Sequence, residues 1–169
     1  MGYVILVGAY ERDNFGDIAC SEITAKVLHP LPVLKTSMLS SDVRALGGDL
    51  VVSVGALKRS SVDFLSVNAV VFCGGETLAC DASSGLAMNL PKPDANALLH
   101  MPVEWQARAL RATVVDGASL AYVLQPDEIP SGRNTGIPLI YHSVGGTRIA
   151  EFAKRPDLRQ RLQTALGKA

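Results

Sequence analysis

Three polar side chains sit where apolar runs give way to glycine-containing loops. Asp17 closes the stretch Gly8-Ala9-Tyr10-Glu11-Arg12-Asp13-Asn14-Phe15-Gly16-Asp17, Glu76 follows Cys73-Gly74-Gly75, and His142 stands near the end of Pro138-Leu139-Ile140-Tyr141-His142-Ser143-Val144. A carboxylate or an imidazole placed against a hydroxyl can take its proton. Asn14 offers both donors and acceptors, which suits hydroxyl-rich ligands. Glycines let a ligand approach the backbone. The candidate catalytic residues are therefore Asp17, Glu76 and His142, and the candidate binding residues are Asn14, Phe15, Gly16, Gly74, Gly75, Thr77 and Gly145. Each has a structural counterpart reading: Asp17 as a helix cap, Glu76 as a solvated loop residue, His142 as a hydrogen-bonded strand residue.

Such loops need strands before them and helices after them. Residues 3–7 and 69–72 are continuous apolar runs of the kind found in strands buried on both faces, and a further strand is expected over 139–144. A helix is expected over 18–28, with Ile18, Ile23, Val27 and Leu28 inward and Glu22 paired with Lys26 outside. Further strands are expected near 33–34 and over 50–54, and short helices near 43–46, 60–65 and 96–101. A longer helix is expected over 103–115, with Trp105 in the core. Residues 120–124 fit a strand or a helix, and two more helices are expected over 147–154 and from Pro156 onward. Alternating strands and helices imply an α/β fold, a Rossmann-like parallel sheet with helices on both faces. In such sheets ligands bind beyond the carboxyl ends of the strands, where helix N-termini favour anions.

Composition narrows the function classes. The chain has 169 residues, 48% of them hydrophobic, and its 16 basic and 16 acidic residues cancel. That is enough for one domain spanning 1–169, and it leaves no electrostatic footprint for nucleic acid. Cys20, Cys73 and Cys80 match no zinc spacing and read as buried free thiols; no metal is expected. No apolar run is long enough for a transmembrane segment and the first residues lack a basic leader, so the expectation is a cytoplasmic protein. There is no GxGxxG after the first strand and no GxxxxGK[ST], which disfavours a nicotinamide dehydrogenase or a P-loop NTPase.

The quoted loop of residues 8–17 resembles the opening glycine–Asn–Phe–Gly–Asp loop of the polysaccharide pyruvyl transferases. Val70-Val71-Phe72-Cys73-Gly74-Gly75-Glu76-Thr77-Leu78 is similar to that family's second strand with its glycine-rich end, and residues 138–145 are similar to its third. The order and spacing also fit, and the likeness runs over the amino-terminal half of the family. The resemblance implies one Rossmann-like half of a GT-B-like architecture. It implies transfer of pyruvate from phosphoenolpyruvate to two sugar hydroxyls as a ketal, with phosphate released and no other cofactor. The acceptor would be a sugar or a polysaccharide precursor. The donor would be held by a C-terminal domain expected beyond this chain, so catalysis would need that domain, and an isolated half is expected to self-associate. Glu76 departs from the family, which often carries a third glycine there; it would narrow or recharge the anion pocket. Two other readings remain open: the acceptor domain of a GT-B glycosyltransferase, and a non-catalytic binding domain.

Overall fold

In the computed structural model the described residues are 2–59, 66–75, 77, 80–113, 122, 137–142, 154, 156, 159–160 and 163. Glu76, Gly145 and the helices expected over 60–65, 147–154 and from 156 onward lie wholly or largely outside them, as does the segment 120–124 apart from Tyr122.

The element order is β1 (Tyr3–Val7), α1 (Phe15–Leu28), β2 (Val33–Ser37), β3 (Ser41–Asp42), a 3-10 turn (Arg44–Leu46), β4 (Leu50–Ser53), α2 (Val54–Arg59), β5 (Val67–Cys73), α3 (Ala82–Ala87), α4 (Lys92–His100), α5 (Val103–Thr113) and β6 (Leu139–His142). The sheet order is β3-β4-β2-β1-β5-β6. Every pairing is parallel except the short β3 on β4. The chain starts at the centre, winds outward through β2 and β4, then returns to the other side of β1 as β5. The connections after β1 and β5 therefore diverge and open a crevice above the carboxyl ends of these two strands.

The apolar runs account for the sheet. Residues Val4 to Val7 and Val70 to Cys73 are all buried. Val4, Leu6, Val71 and Cys73 pack with Ile18, Tyr10, Val43 and Val51 on the face that carries α1. A second cluster, built from Ala9, Met38, Leu86, Leu98, Leu110 and Tyr122, closes the crevice from the side of α3 to α5. Gly8 lets the two central strands end together: a Cβ there would lie 2.4 Å from the Cys73 carbonyl and 2.5 Å from the Tyr10 ring.

The inner face of α1 differs from expectation. Asp17, Ile18, Ser21 and Thr24 are buried, whereas Ile23 is 61% and Val27 77% exposed. Positions 17, 21, 24 and 28 form one helical stripe, and 23 and 27 stand to its side. Small and polar side chains let α1 lie close to β5, where the Thr24 hydroxyl is 3.1 Å from Cys73 Sγ. Glu22 pairs with Lys35 of β2 rather than with Lys26, and Lys35 is 4% exposed. Trp105 is 57% exposed on the outside of α5 under the Arg108 guanidinium, because α5 turns Leu110 inward instead. Helices α2 and α3 have no counterpart in the sequence expectations. In α3 the Asp81 carboxylate accepts from the Ser84 N–H at 2.7 Å, so a cap starts a helix that its glycine and serines disguise.

Glu11 ties the crevice together. Its buried carboxylate accepts from the Tyr122 hydroxyl at 2.9 Å and from Asn89 Nδ2 at 3.0 Å, and the Ser37 hydroxyl donates to its other oxygen. Those donors come from the end of α3, the end of β2 and a distant segment. Removing the acceptor strands buried donors, each costing about 1–3 kcal/mol. Glu11→Ala is expected to lower unfolding free energy by about 3 kcal/mol and Tyr122→Phe by about 1 kcal/mol in urea titrations. Unchanged midpoints for both would remove Glu11 from this role.

Candidate functional site

The crevice encloses about 310 Å³ and is lined by Ala9, Arg12, Asn14, Asp17, Gly75, Thr77, Cys80, Ser84, Met88 and Tyr122. It lies where β1 and β5 part. The loop after β1 supplies Ala9, Arg12 and Asn14, the first turn of α1 supplies Asp17, the turn after β5 supplies Gly75 and Thr77, and α3 supplies Ser84.

Asp17 is its polar centre. It lies in the first turn of α1 and is 5% exposed. One oxygen, Oδ2, accepts from Arg12 Nη2 at 3.0 Å and from Asn14 Nδ2 at 2.8 Å. Asn14 in turn caps the helix, its Oδ1 accepting from the Gly16 N–H at 3.1 Å. Asn14 and Asp17 are thus a cap and a first-turn acid that also face the crevice, so the structural and functional readings hold together. Gly75 stands directly opposite. Its φ is +54, and a Cβ there would lie 2.8 Å from Asp17 Oδ1, so glycine allows this turn to meet the carboxylate.

The charge balance departs from an open anion site. The protein's own Asp17 occupies the positive end of α1, and Arg12 is bound to it. Among the described lining residues Arg12 is the only cation. What remains is nearly neutral and mainly apolar in surface, with a few polar atoms set into it: Arg12 Nε and the Thr77 hydroxyl are buried without a hydrogen-bond partner among the described residues. Burial pushes the Asp17 carboxyl above its ordinary range, and the Arg12 and Asn14 contacts pull it back only in part. A raised carboxylate is a better proton acceptor toward a hydroxyl. Tyr10 and Tyr122 have hydroxyls raised by burial; Tyr10 donates to the Cys73 carbonyl at 3.0 Å and Tyr122 to Glu11.

Of the sequence candidates, Asn14, Asp17, Gly75 and Thr77 meet in the crevice. Gly74 is buried beside it, with φ +85. Phe15 is 80% exposed, and neither it nor Gly16 lines the space. His142 is exposed on β6, in register with Cys73, and lies outside the lining. Glu76 and Gly145 are outside the described residues. Arg12 and Tyr122 were not among the candidates. Arg12 stood inside the opening loop, and its spacing from Asp17 was a usable signal. Nothing local marks Tyr122, whose role depends on a partner 111 positions away.

Among the described residues there is no group of three or more His, Cys, Asp and Glu side chains that could hold a metal ion, and no helix long and apolar enough to cross a membrane. Comparison with protein-family models, with curated proteins and with solved structures finds no match to this chain.

The raised Asp17 carboxyl gives a signed prediction. A folded state that holds the proton more tightly gains stability below the ordinary carboxylate range and loses it as pH rises through the folded pKa. Asp17→Asn is therefore expected to melt at or above the parent temperature near neutral pH, with the gap closing in acid. A clear loss of stability near neutral pH would show that the Arg12 pairing outweighs burial.

Proposed function

We propose that the crevice binds a neutral, hydroxyl-rich sugar and that the chain is the acceptor-binding Rossmann-like half of a polysaccharide pyruvyl transferase. The observation that carries this reading is the internal neutralisation of Arg12 by Asp17 at the mouth of β1 and β5. A trianionic donor such as phosphoenolpyruvate would need several free cations, and among the described lining residues there is one, already paired. A sugar needs donors and acceptors in mixed array. Asp17 Oδ1, the Thr77 hydroxyl and Arg12 Nε supply that array within one space. The resemblance of residues 8–17, 70–78 and 138–145 to the family supplies the reaction.

In this reading Asp17 takes the proton of an acceptor hydroxyl as the oxygen adds to the enolpyruvyl carbon. The proton gained by the methylene carbon makes the methyl group, and the second hydroxyl displaces phosphate to close the ketal. The donor phosphate is held by a second domain of GT-B-like arrangement, which contributes the missing positive charge. Asn14 caps α1 and orients Asp17. His142 acts only if that second domain brings substrate to the β6 edge.

A glycan array probed with the purified chain tests the acceptor half of this reading. The expected result is weak, millimolar-range binding to sugars bearing neighbouring free hydroxyls, lost in Thr77→Val and in Asp17→Asn. The chain alone is expected to bind neither phosphoenolpyruvate nor inorganic phosphate in calorimetry. Binding of phosphoenolpyruvate without any sugar binding would overturn the assignment. Binding of a nucleotide sugar would favour a glycosyltransferase instead.

A further inference from the structure

The packing between α1 and the end of β5 holds a feature the sugar reading leaves unused. Cys20 of α1 and Cys73 at the end of β5 face each other with their sulfur atoms 2.8 Å apart. That is well inside the contact distance of two unbonded sulfurs and approaches the roughly 2.05 Å of a disulfide. Both thiols are free. The Thr24 hydroxyl lies 3.1 Å from Cys73 Sγ, and Cys73 Sγ also reaches the Cys20 carbonyl at 3.7 Å. Cys73 is fully buried, whereas Cys20 is half-buried and is the more accessible of the two.

We infer that Cys20 and Cys73 form a peroxide-driven disulfide that clamps the two walls of the crevice together. Hydrogen peroxide reacts at Cys20: the sulfur attacks one peroxide oxygen, the O–O bond breaks, and water leaves, giving a sulfenic acid. The Cys73 sulfur then attacks the Cys20 sulfur and expels hydroxide, which departs as water with the Cys73 proton. Two thiols are oxidised by two electrons and one peroxide is reduced to two waters. A thiol reductant reverses the bond by exchange.

The position gives the bond its consequence. Cys20 lies one turn after Asp17 on α1, and Cys73 immediately precedes Gly74 and Gly75. Gly74 lies beside Cys20, where a Cβ added to the glycine would stand 3.5 Å from the Cys20 Cβ. The crosslink would therefore fix Asp17 and the Gly74–Gly75 turn relative to each other. Burial and the neighbouring thiol push Cys20 up to about 12, so the thiolate is scarce near neutral pH.

Peptide mapping under non-reducing conditions, after hours in dilute hydrogen peroxide, tests it. The expected product is a Cys20–Cys73 linked peptide, with a mass lower by two hydrogens and restored by dithiothreitol. The linked protein is expected to melt at a higher temperature than the reduced one. Cys80→Ser should leave the crosslink unchanged, and Cys20→Ser should abolish both the crosslink and the shift in melting temperature. A linkage to Cys80, or sulfinic acid at Cys20 with Cys73 still alkylatable, would overturn the inference.

Discussion

The carboxylate of Glu11 is the constraint on which the site rests. It is buried at the carboxyl edge of the sheet and draws hydrogen bonds from Ser37, Asn89 and Tyr122. A buried charge is tolerable only when its lone pairs are used, so these donors have little freedom to move. The loop after β1 is thereby pinned to β2, to the end of α3 and to the segment bearing Tyr122. The next residue, Arg12, starts from a fixed backbone and reaches both Asp17 and the Met88 sulfur. The order runs from a structural anion to a positioned cation to a poised carboxylate.

The same logic explains the unusual α1. A helix that buried Ile23 and Val27 would stand further from β5, with larger side chains between. Instead Ser21, Thr24 and Asp17 lie inward, and Gly75 removes the side chain that would collide with the Asp17 carboxylate. Close approach brings Asp17 to the crevice at the cost of leaving Ile23 and Val27 in solvent. Glu22 and the buried Lys35 repay part of that loss of apolar contact by locking α1 to β2. The helix is shaped by the site it carries, which is where local rules are expected to give way.

Much of the frame was readable from the chain. The apolar runs at 3–7 and 69–72 became the strands β1 and β5, and of the glycines after them Gly75 lines the crevice. Asn14 and Asp17 were legible because capping chemistry is local. The inward face of α1 was not. Periodicity assumes that apolar residues seek the core, and here a close helix–strand contact selected small polar ones. Trp105 misled for a related reason, since size suggests burial while α5 rests on Leu110. The Glu11–Tyr122 bond lay beyond reach, because no pattern in the sequence pairs residues so far apart. Helix α3 was hidden by composition, and only its Asp81 cap marked it.

The central claim is that the ligand enters between the ends of β1 and β5, against Asp17. Hydrogen–deuterium exchange of the chain, with and without the sugar class proposed as its ligand, measures this directly. Slowed exchange is predicted for residues 9–17 and for the turn after Cys73, with α4 and α5 unchanged. Protection confined to α4 and α5 or to β6, with none in those two loops, would contradict the account.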